Sequence, residues 1–268
     1  TLTARYLKRV SAHLGNIARW LDTRDGDEPF LMVEKLEGAH ILIGPDRSRS
    51  AQTAVEELGC NILVMDDGFQ HWAMARDLDI VLLDVTRPHA LDHRLPWGNL
   101  REDWPALGRA QVACVTKAFD RAARERAAER ARSHNPDIAV WQAEFRAGEI
   151  RRLGDNKTIE PPSLDAQPVF LVAGLASPDG FERTARDLGC RIEGRYFYSD
   201  HFAYPDLVIR YIETQAERAG VRAILTTEKD AVKLHGRTSK TAPWAVVSVE
   251  THWLEPSPKE IRRFLKER

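Results

Sequence analysis

Apolar residues Leu2, Tyr6, Val10, Leu14, Ile17 and Leu21 recur every three or four positions, the stripe of an amphipathic helix that packs on a sheet. Short apolar runs then alternate with helical stretches: HILIG (40–44), a helix over about 48–58, NILVMD (61–66), DIVLLD (79–84), AQVACVT (110–116) and an Arg/Ala/Glu-rich helix near 119–134. Runs that are apolar throughout, separated by helices, predict parallel strands covered on both faces. Around 138–160 the pattern changes to two extended pieces divided at Ala147-Gly148, which predicts a β-hairpin, and EPPSLDAQP follows as a linker. A second alternation runs through VFLVAG (169–174), a helix over 179–188, CRIEGRYFY (190–198), a helix over 205–218, RAILTT (222–227), WAVVSV (244–249) and a closing helix near 258–267. The expected organisation is an N-terminal α/β lobe over 1–136, a hairpin linker over 137–164 and a smaller α/β lobe over 165–268.

Composition narrows the function classes. With 39 basic and 40 acidic residues the formal net charge of the 268-residue chain is -1, so no global field recruits nucleic acid, and an anionic partner must be met locally. Cys60, Cys114 and Cys190 are far apart with no CxxC pair, which points to buried thiols in a reducing compartment rather than a disulfide framework or a zinc site. No apolar run approaches the roughly 18 to 20 residues of a membrane span, and a signal-peptide pattern is absent. The expected location is the cytoplasm, at most peripheral to a membrane.

In parallel α/β sheets, sites form beyond the carboxyl ends of strands. Asp66 and Asp67 end one apolar run, Asp84 ends another, and Gly44-Pro45-Asp46-Arg47 follows a third. Adjacent carboxylates behind four apolar residues are similar to the second acidic motif of phosphate-loop nucleotidases, which holds Mg²⁺ directly or through water. Two aspartates standing by themselves read first as a strand-end turn.

The aspartates do not stand by themselves. GDEP (26–29), GPDR (44–47), DDGFQH (66–71), RDLDIVLLD (76–84), RLPWGNLRE (94–102), AGLASPDGF (173–181), SDHFAYPD (199–206) and TTEKDAVKL (226–234) follow one another in order. In that order and spacing the chain resembles the tetraacyldisaccharide 4'-kinase (lipid A 4'-kinase) family, from about residue 25 to the C-terminus. The resemblance implies an α/β fold with a P-loop-kinase-like parallel sheet lobe and a second, smaller α/β lobe joined by the hairpin. It implies ATP and Mg²⁺ as cofactors, and an acylated glucosamine disaccharide 1-phosphate as the acceptor of a phosphoryl group at its 4'-hydroxyl. Peripheral contact with the cytoplasmic face of the inner membrane is implied as well.

Position by position, the resemblance places Asp27 beside the attacking hydroxyl and His201 as the imidazole paired with it. The pairing is chemically sensible, because a carboxylate accepts the hydroxyl proton best when a second group orients it. Asp66, Asp67 and Glu102 match acidic positions of the Mg²⁺ region. Gln70, His71 and Arg101 match positions near phosphate or substrate, and Glu28 helps order the loop ahead of Pro29. A guanidinium such as Arg101 suits phosphoryl charge; the alternative is an Arg101–Glu102 surface pair. In TTEKD the threonine reads as a helix N-cap, and a structural and a substrate role for Lys229 stay equally open. Trp97 in LPWGN is expected to pack within its loop or the core, with lipid contact as the alternative.

One expected part is missing. The chain contains no GxxxxGK[ST] sequence, the loop whose backbone N–H groups cradle phosphates while its lysine reaches the β/γ oxygens. The chain also begins at Thr1. The expectation is a fragment that binds ATP poorly by itself; the competing explanation is a natural homologue without that loop, a non-catalytic module that binds an acylated sugar phosphate or a protein. A metal-dependent phosphohydrolase using the same carboxylates is the third reading.

Overall fold

The computed structural model describes residues 17–21 (backbone only), 32–33, 35–36, 38–85, 93–94, 96–98, 100–116, 120–175 and 178–267. Asp27, Glu28 and the first part of the expected N-terminal helix lie outside the described residues. At Ile17–Leu21, where the periodicity predicts helix, the chain forms strand β1. Its backbone pairs in parallel with β2 (Ala39–Ile43) on one side and β3 (Ile62–Met65) on the other. Two non-local ladders outweigh a weak local preference there, as sheet pairing commonly does. Met32 and Leu36 pack on this sheet with Ala39, Ile41, Ile62 and Val64, and α1 (Arg47–Glu56) follows β2, capped by the Asp46 side chain on Arg49 N–H at 3.0 Å.

The other strands form a single eight-stranded sheet in the order β4-β5-β6-β11-β10-β8-β9, with β7 pairing β6. These are β4 (Ile80–Asp84), β5 (Val112–Thr116), β6 (Ala139–Arg152), β7 (Thr158–Ile159), β8 (Pro168–Gly174), β9 (Arg191–Tyr198), β10 (Ala223–Thr227) and β11 (Trp244–Glu255). The α/β, largely parallel character expected from the sequence is present. The hairpin is not where it was expected: β6 runs unbroken through Ala147-Gly148, and the reversal comes at residues 153–157, after which β7 returns. A Cβ at Gly148 would lie 2.5 Å from Ser248 Oγ and 2.7 Å from Glu250 Cγ, so this glycine permits close strand approach rather than a turn.

Helices α2 (Arg121–His134), α3 (Asp179–Asp187), α4 (Asp206–Ala219) and α6 (Pro258–Lys266) fall within a few residues of their sequence-based spans, and α5 (Glu228–Leu234) starts where TTEKD reads as a helix N-cap. Four of the five have a local explanation. Asp120 caps α2, Thr227 caps α5, Gly220 in the left-handed region ends α4, and Ser257 with Glu260 forms a capping box on α6. Alternate residues of β8 serve opposite faces: Val169, Leu171 and Ala173 pack with Phe181 and Ala185 of α3, while Phe170 and Val172 pack with Ile209, Ile212 and Ala216 of α4. Both faces of the strand are therefore dry, which is why its sequence is apolar throughout.

The registers orient the strand ends of the large sheet. β5 runs parallel to the start of β6, ending with Thr116 opposite Ala143, and β10 runs parallel to the start of β11, ending with Thr227 opposite Val247. β6 and β11 are antiparallel, with Val247 opposite Ile150. Both parallel groups thus point their carboxyl ends toward the middle of the β6–β11 ladder, from opposite ends. Seven residues of β6, from Ala143 to Ile150, separate the two endpoints, roughly 20 Å along the strand.

Candidate functional site

The first cluster gathers after β3. Asp67 has φ 52°, a left-handed conformation that aspartate tolerates better than most residues. Arg47, 8% exposed, donates to the Asp67 carbonyl at 3.1 Å, and Arg101 forms an ion pair with the Asp67 carboxylate. The turn is therefore clamped from two directions, and Asp66 is presented directly behind the strand. Gln70 Nε2 donates to Glu102 Oε1 at 2.7 Å, and His71 holds the turn through its N–H to Gly68 O at 2.9 Å. The His71 Nδ1 atom is buried with no hydrogen-bond partner, and the His71 carbonyl accepts from Arg76, which is itself fixed by Asp79 at 2.6 Å.

Arg109 organises this strip, although sequence reasoning does not single it out. Its Nη2 reaches both Glu102 oxygens, at 2.8 and 2.9 Å, and its guanidinium lies 4.4 Å from the ring centroids of both Phe69 and Trp72. Partial burial raises the Glu102 carboxyl, but hydrogen bonds from Gln70 and Arg109 outweigh it and hold the group below its usual range. Phe69 and Trp72 flank Gln70 and His71 in the sequence, but nothing there pairs them with Arg109.

Asp66, Asp67 and Glu102 are thus not gathered into a three-carboxylate cage. Glu102 has both oxygens engaged by Arg109 and Gln70, Asp67 is engaged by Arg101, and among the described residues no group of three or more His, Cys, Asp and Glu is arranged to hold a metal. Arg101 pairs with Asp67 rather than with its neighbour Glu102. Arg101 also lines a cleft of about 410 Å³ with His93, Arg94, Trp97 and Leu100. The packing expected for Trp97 is not found: it is 85% exposed at the edge of that cleft.

The second cluster lies at the carboxyl ends of β8, β9 and β10. His201 has φ 60°, and its N–H donates to Asp200 Oδ1 at 3.0 Å. The four residues of TTEKD after its first threonine divide the work. Thr227 caps α5; Glu228, 7% exposed, pairs with Lys35 and sits 3.9 Å from Arg151; Lys229 pairs with Asp200 at 2.9 Å. Asp230 is fully buried and accepts from Gly174 N–H at 3.1 Å and from Thr227 Oγ1 at 2.6 Å. Burial raises the Asp230 carboxyl, and these donors only partly oppose it. Asp200 behaves oppositely: burial pushes it up, but Lys229 holds it below the ordinary range. The Lys35–Glu228 pair ties the segment that packs on the small sheet to the second cluster.

A family model described as tetraacyldisaccharide-1-P 4'-kinase matches residues 10–268. The tetraacyldisaccharide 4'-kinase of Anaeromyxobacter sp. (strain K) is 40% identical over 220 residues, covering 81% of this chain and 58% of that protein. The protein of the same name from Pelobacter propionicus is 33% identical over 234 residues, covering 87% of this chain and 63% of its own. The chain therefore spans less than two thirds of the length of these relatives. The crystal structure of LpxK from Aquifex aeolicus in complex with ATP superposes with a TM-score of 0.68 over 99% of this chain and 82% of that one, at 20% identity, which is a likeness of fold. Two clusters built from the ordered motifs, one after β3 and one at the carboxyl ends of β8, β9 and β10, together with a family match over residues 10–268, place this chain in the tetraacyldisaccharide-1-P 4'-kinase family.

Proposed function

We propose that the protein transfers the γ-phosphoryl group of ATP to the 4'-hydroxyl of a tetraacylated glucosamine disaccharide 1-phosphate, a step of lipid A biosynthesis. The observation that carries the reading is that DDGFQH gathers with LRE in one cluster after β3, held by Arg47, Arg101 and Arg109, while SDH gathers with TTEKD at the carboxyl ends of β8, β9 and β10. Phosphoryl transfer requires a charged nucleotide and a hydroxyl acceptor held in line, so catalysis is mainly positioning and charge stabilisation.

In this reading Asp27 assists the hydroxyl and His201 orients or tunes it. Arg101 exchanges its pairing with Asp67 for a phosphate oxygen, since the guanidinium is the better partner for a doubly charged group. Gln70 and His71 line the phosphate side, and Glu28 orders the loop beside Asp27. Mg²⁺ fits Asp66 and Asp67, because this ion keeps most of its waters and needs only one or two carboxylates. Glu102 supports that region through Arg109 and Gln70 rather than as a ligand. Bound Mg²⁺ would supply charge neutralisation of the phosphates. The cleft beside Trp97 takes the acylated sugar phosphate, and a protein acting on such an amphiphile works at the cytoplasmic face of the inner membrane. Among the described residues no helix is long and apolar enough to cross a membrane.

The test is product identification. The 268-residue chain and its complete reading frame are each incubated with ATP, Mg²⁺ and a synthetic tetraacyl disaccharide 1-phosphate, and the lipid product is analysed by mass spectrometry with fragmentation. A product carrying one added phosphate on the 4' oxygen from the complete frame supports the reading. Absence of that product from the complete frame, or phosphate release without transfer, overturns it.

A further inference from the structure

The loop that carries His201 is unusually well fixed. The rings of Tyr198 and Phe202, on either side of Ser199-Asp200-His201, stack with centroids 4.2 Å apart and 9° between planes, and Tyr204 closes on both edge-on at 5.7 and 5.2 Å. Tyr204 is fully buried. The opposing element is equally fixed, because Thr227 and Asp230 anchor the first turn of α5 to Gly174 at the end of β8. Lys229 projects between them from that turn. Its side chain is only 14% exposed, and its Nζ lies 2.9 Å from Asp200 Oδ1 and 3.4 Å from His201 Nε2.

An ammonium group has donors and no acceptor. Its contact with Nε2 is attractive only while that nitrogen keeps its lone pair, which leaves the ring proton on Nδ1. Asp200 Oδ2 favours the opposite tautomer, but it lies 3.7 Å from Nε2, beyond hydrogen-bond distance, and Lys229 already offsets its charge. We propose that Lys229 is a positioning residue that sets the tautomer of His201, making Nδ1 the proton-bearing nitrogen of the imidazole. If Lys229 is removed, Asp200 becomes the group in contact with Nε2 and draws the proton there, reversing which nitrogen donates and which accepts. The tautomer is inferred from the Lys229 contact with Nε2. Its catalytic meaning, that His201 meets its partner as a donor through Nδ1, rests on the proposed kinase reading.

The experiment is a two-bond nitrogen–proton correlation spectrum of the 268-residue chain labelled with ¹⁵N-histidine, recorded near pH 8, above the ordinary histidine range of about 6.5. His201→Gln assigns the signal among the nine histidines. The wild-type protein is expected to show the Nδ1–H pattern at His201, Lys229→Met the Nε2–H pattern, and Lys229→Arg the wild-type pattern. An Nε2–H pattern in the wild type overturns the proposal without reference to any variant, so it remains testable even if Lys229→Met does not fold. An unchanged pattern in folded Lys229→Met overturns it too. In the phosphoryl-transfer assay, Lys229→Met is expected to lower kcat about tenfold with KM for ATP unchanged, and Lys229→Arg to restore most of it. A tautomer that shifts as expected in a protein that transfers no phosphate would retain the role of Lys229 and remove the kinase reading.

Discussion

Arg109 is the side chain whose loss should most clearly disturb the strip that carries Asp66, Asp67, Gln70 and His71. In Arg109→Met the apolar stem is kept while the guanidinium goes. Two hydrogen bonds to Glu102, at 2.8 and 2.9 Å, are lost, together with contacts at 4.4 Å to Phe69 and Trp72. The ion pair is partly exposed, with side-chain accessibilities of 30% and 27%. It is therefore worth about 1 to 2 kcal/mol rather than the full value of a buried charged hydrogen bond. Each cation–π contact adds about 0.5 to 1 kcal/mol. The expected loss is about 2 to 4 kcal/mol, read as a fall in the denaturant midpoint at unchanged slope. Trp72, 70% exposed and covered by Arg109 on one face, should report the same change in its fluorescence. In a double-mutant cycle with Glu102→Gln, the coupling should be about 1 kcal/mol. A loss below about 0.5 kcal/mol, or no coupling to Glu102, would show that Arg109 does not organise this strip and would refute the reasoning.

Other outcomes follow from the same structure. Hydrogen bonds from Arg195 and Arg186 lower the Glu182 carboxyl to about 2 against its partial burial. A depressed carboxylate stabilises above its unfolded value and loses that contribution as pH falls, so Glu182→Gln should flatten the decline of the denaturation midpoint between about pH 4.5 and 2; an unaltered decline would contradict the assignment. A Cβ at Gly194 would lie 2.8 and 2.9 Å from ring atoms of Phe170, a core side chain only 4% exposed. Gly194→Ala should therefore cost about 1 to 3 kcal/mol through overpacking, and a variant as stable as wild type in urea would refute the close approach. Burial pushes the Cys114 thiol up to about 12, and Cys60 and Cys190 are also buried. Native protein should leave all three unreactive toward a disulfide reagent on the timescale of minutes, and a rapid stoichiometric reaction would contradict the core packing.

Much of the fold was legible because its signals are local. Helices α2, α4, α5 and α6 carry their own caps, and β8 announces itself by being apolar throughout. The failures were non-local. Ile17 and Leu21 continue a helical period, yet their backbone lies between β2 and β3, and partners 20 to 45 residues away leave no trace in a local pattern. Gly148 looks like a turn until Ser248 and Glu250, a hundred residues later, are seen to crowd it. At the candidate site, ordered motifs pointed to Asp66, Asp67, Arg101 and His201, but not to the groups that contact them. Arg47, Arg109 and Asp200 matter here through distances to residues chosen by the fold, and Lys229 could not be assigned until its Nζ was seen between Asp200 and His201.

In the proposed reaction, the cluster after β3 and the cluster after β9 and β10 serve one phosphoryl transfer. The most direct measurement is the rate of transfer of labelled γ-phosphate to the disaccharide 1-phosphate by the complete reading frame carrying Asp66→Asn or His201→Gln, each first shown to be folded. The account predicts that both variants lose at least about 100-fold in kcat/KM, the scale of a lost acid–base or charge-stabilising group. Wild-type rates in His201→Gln would contradict it, because the second cluster would then be a bystander to the reaction.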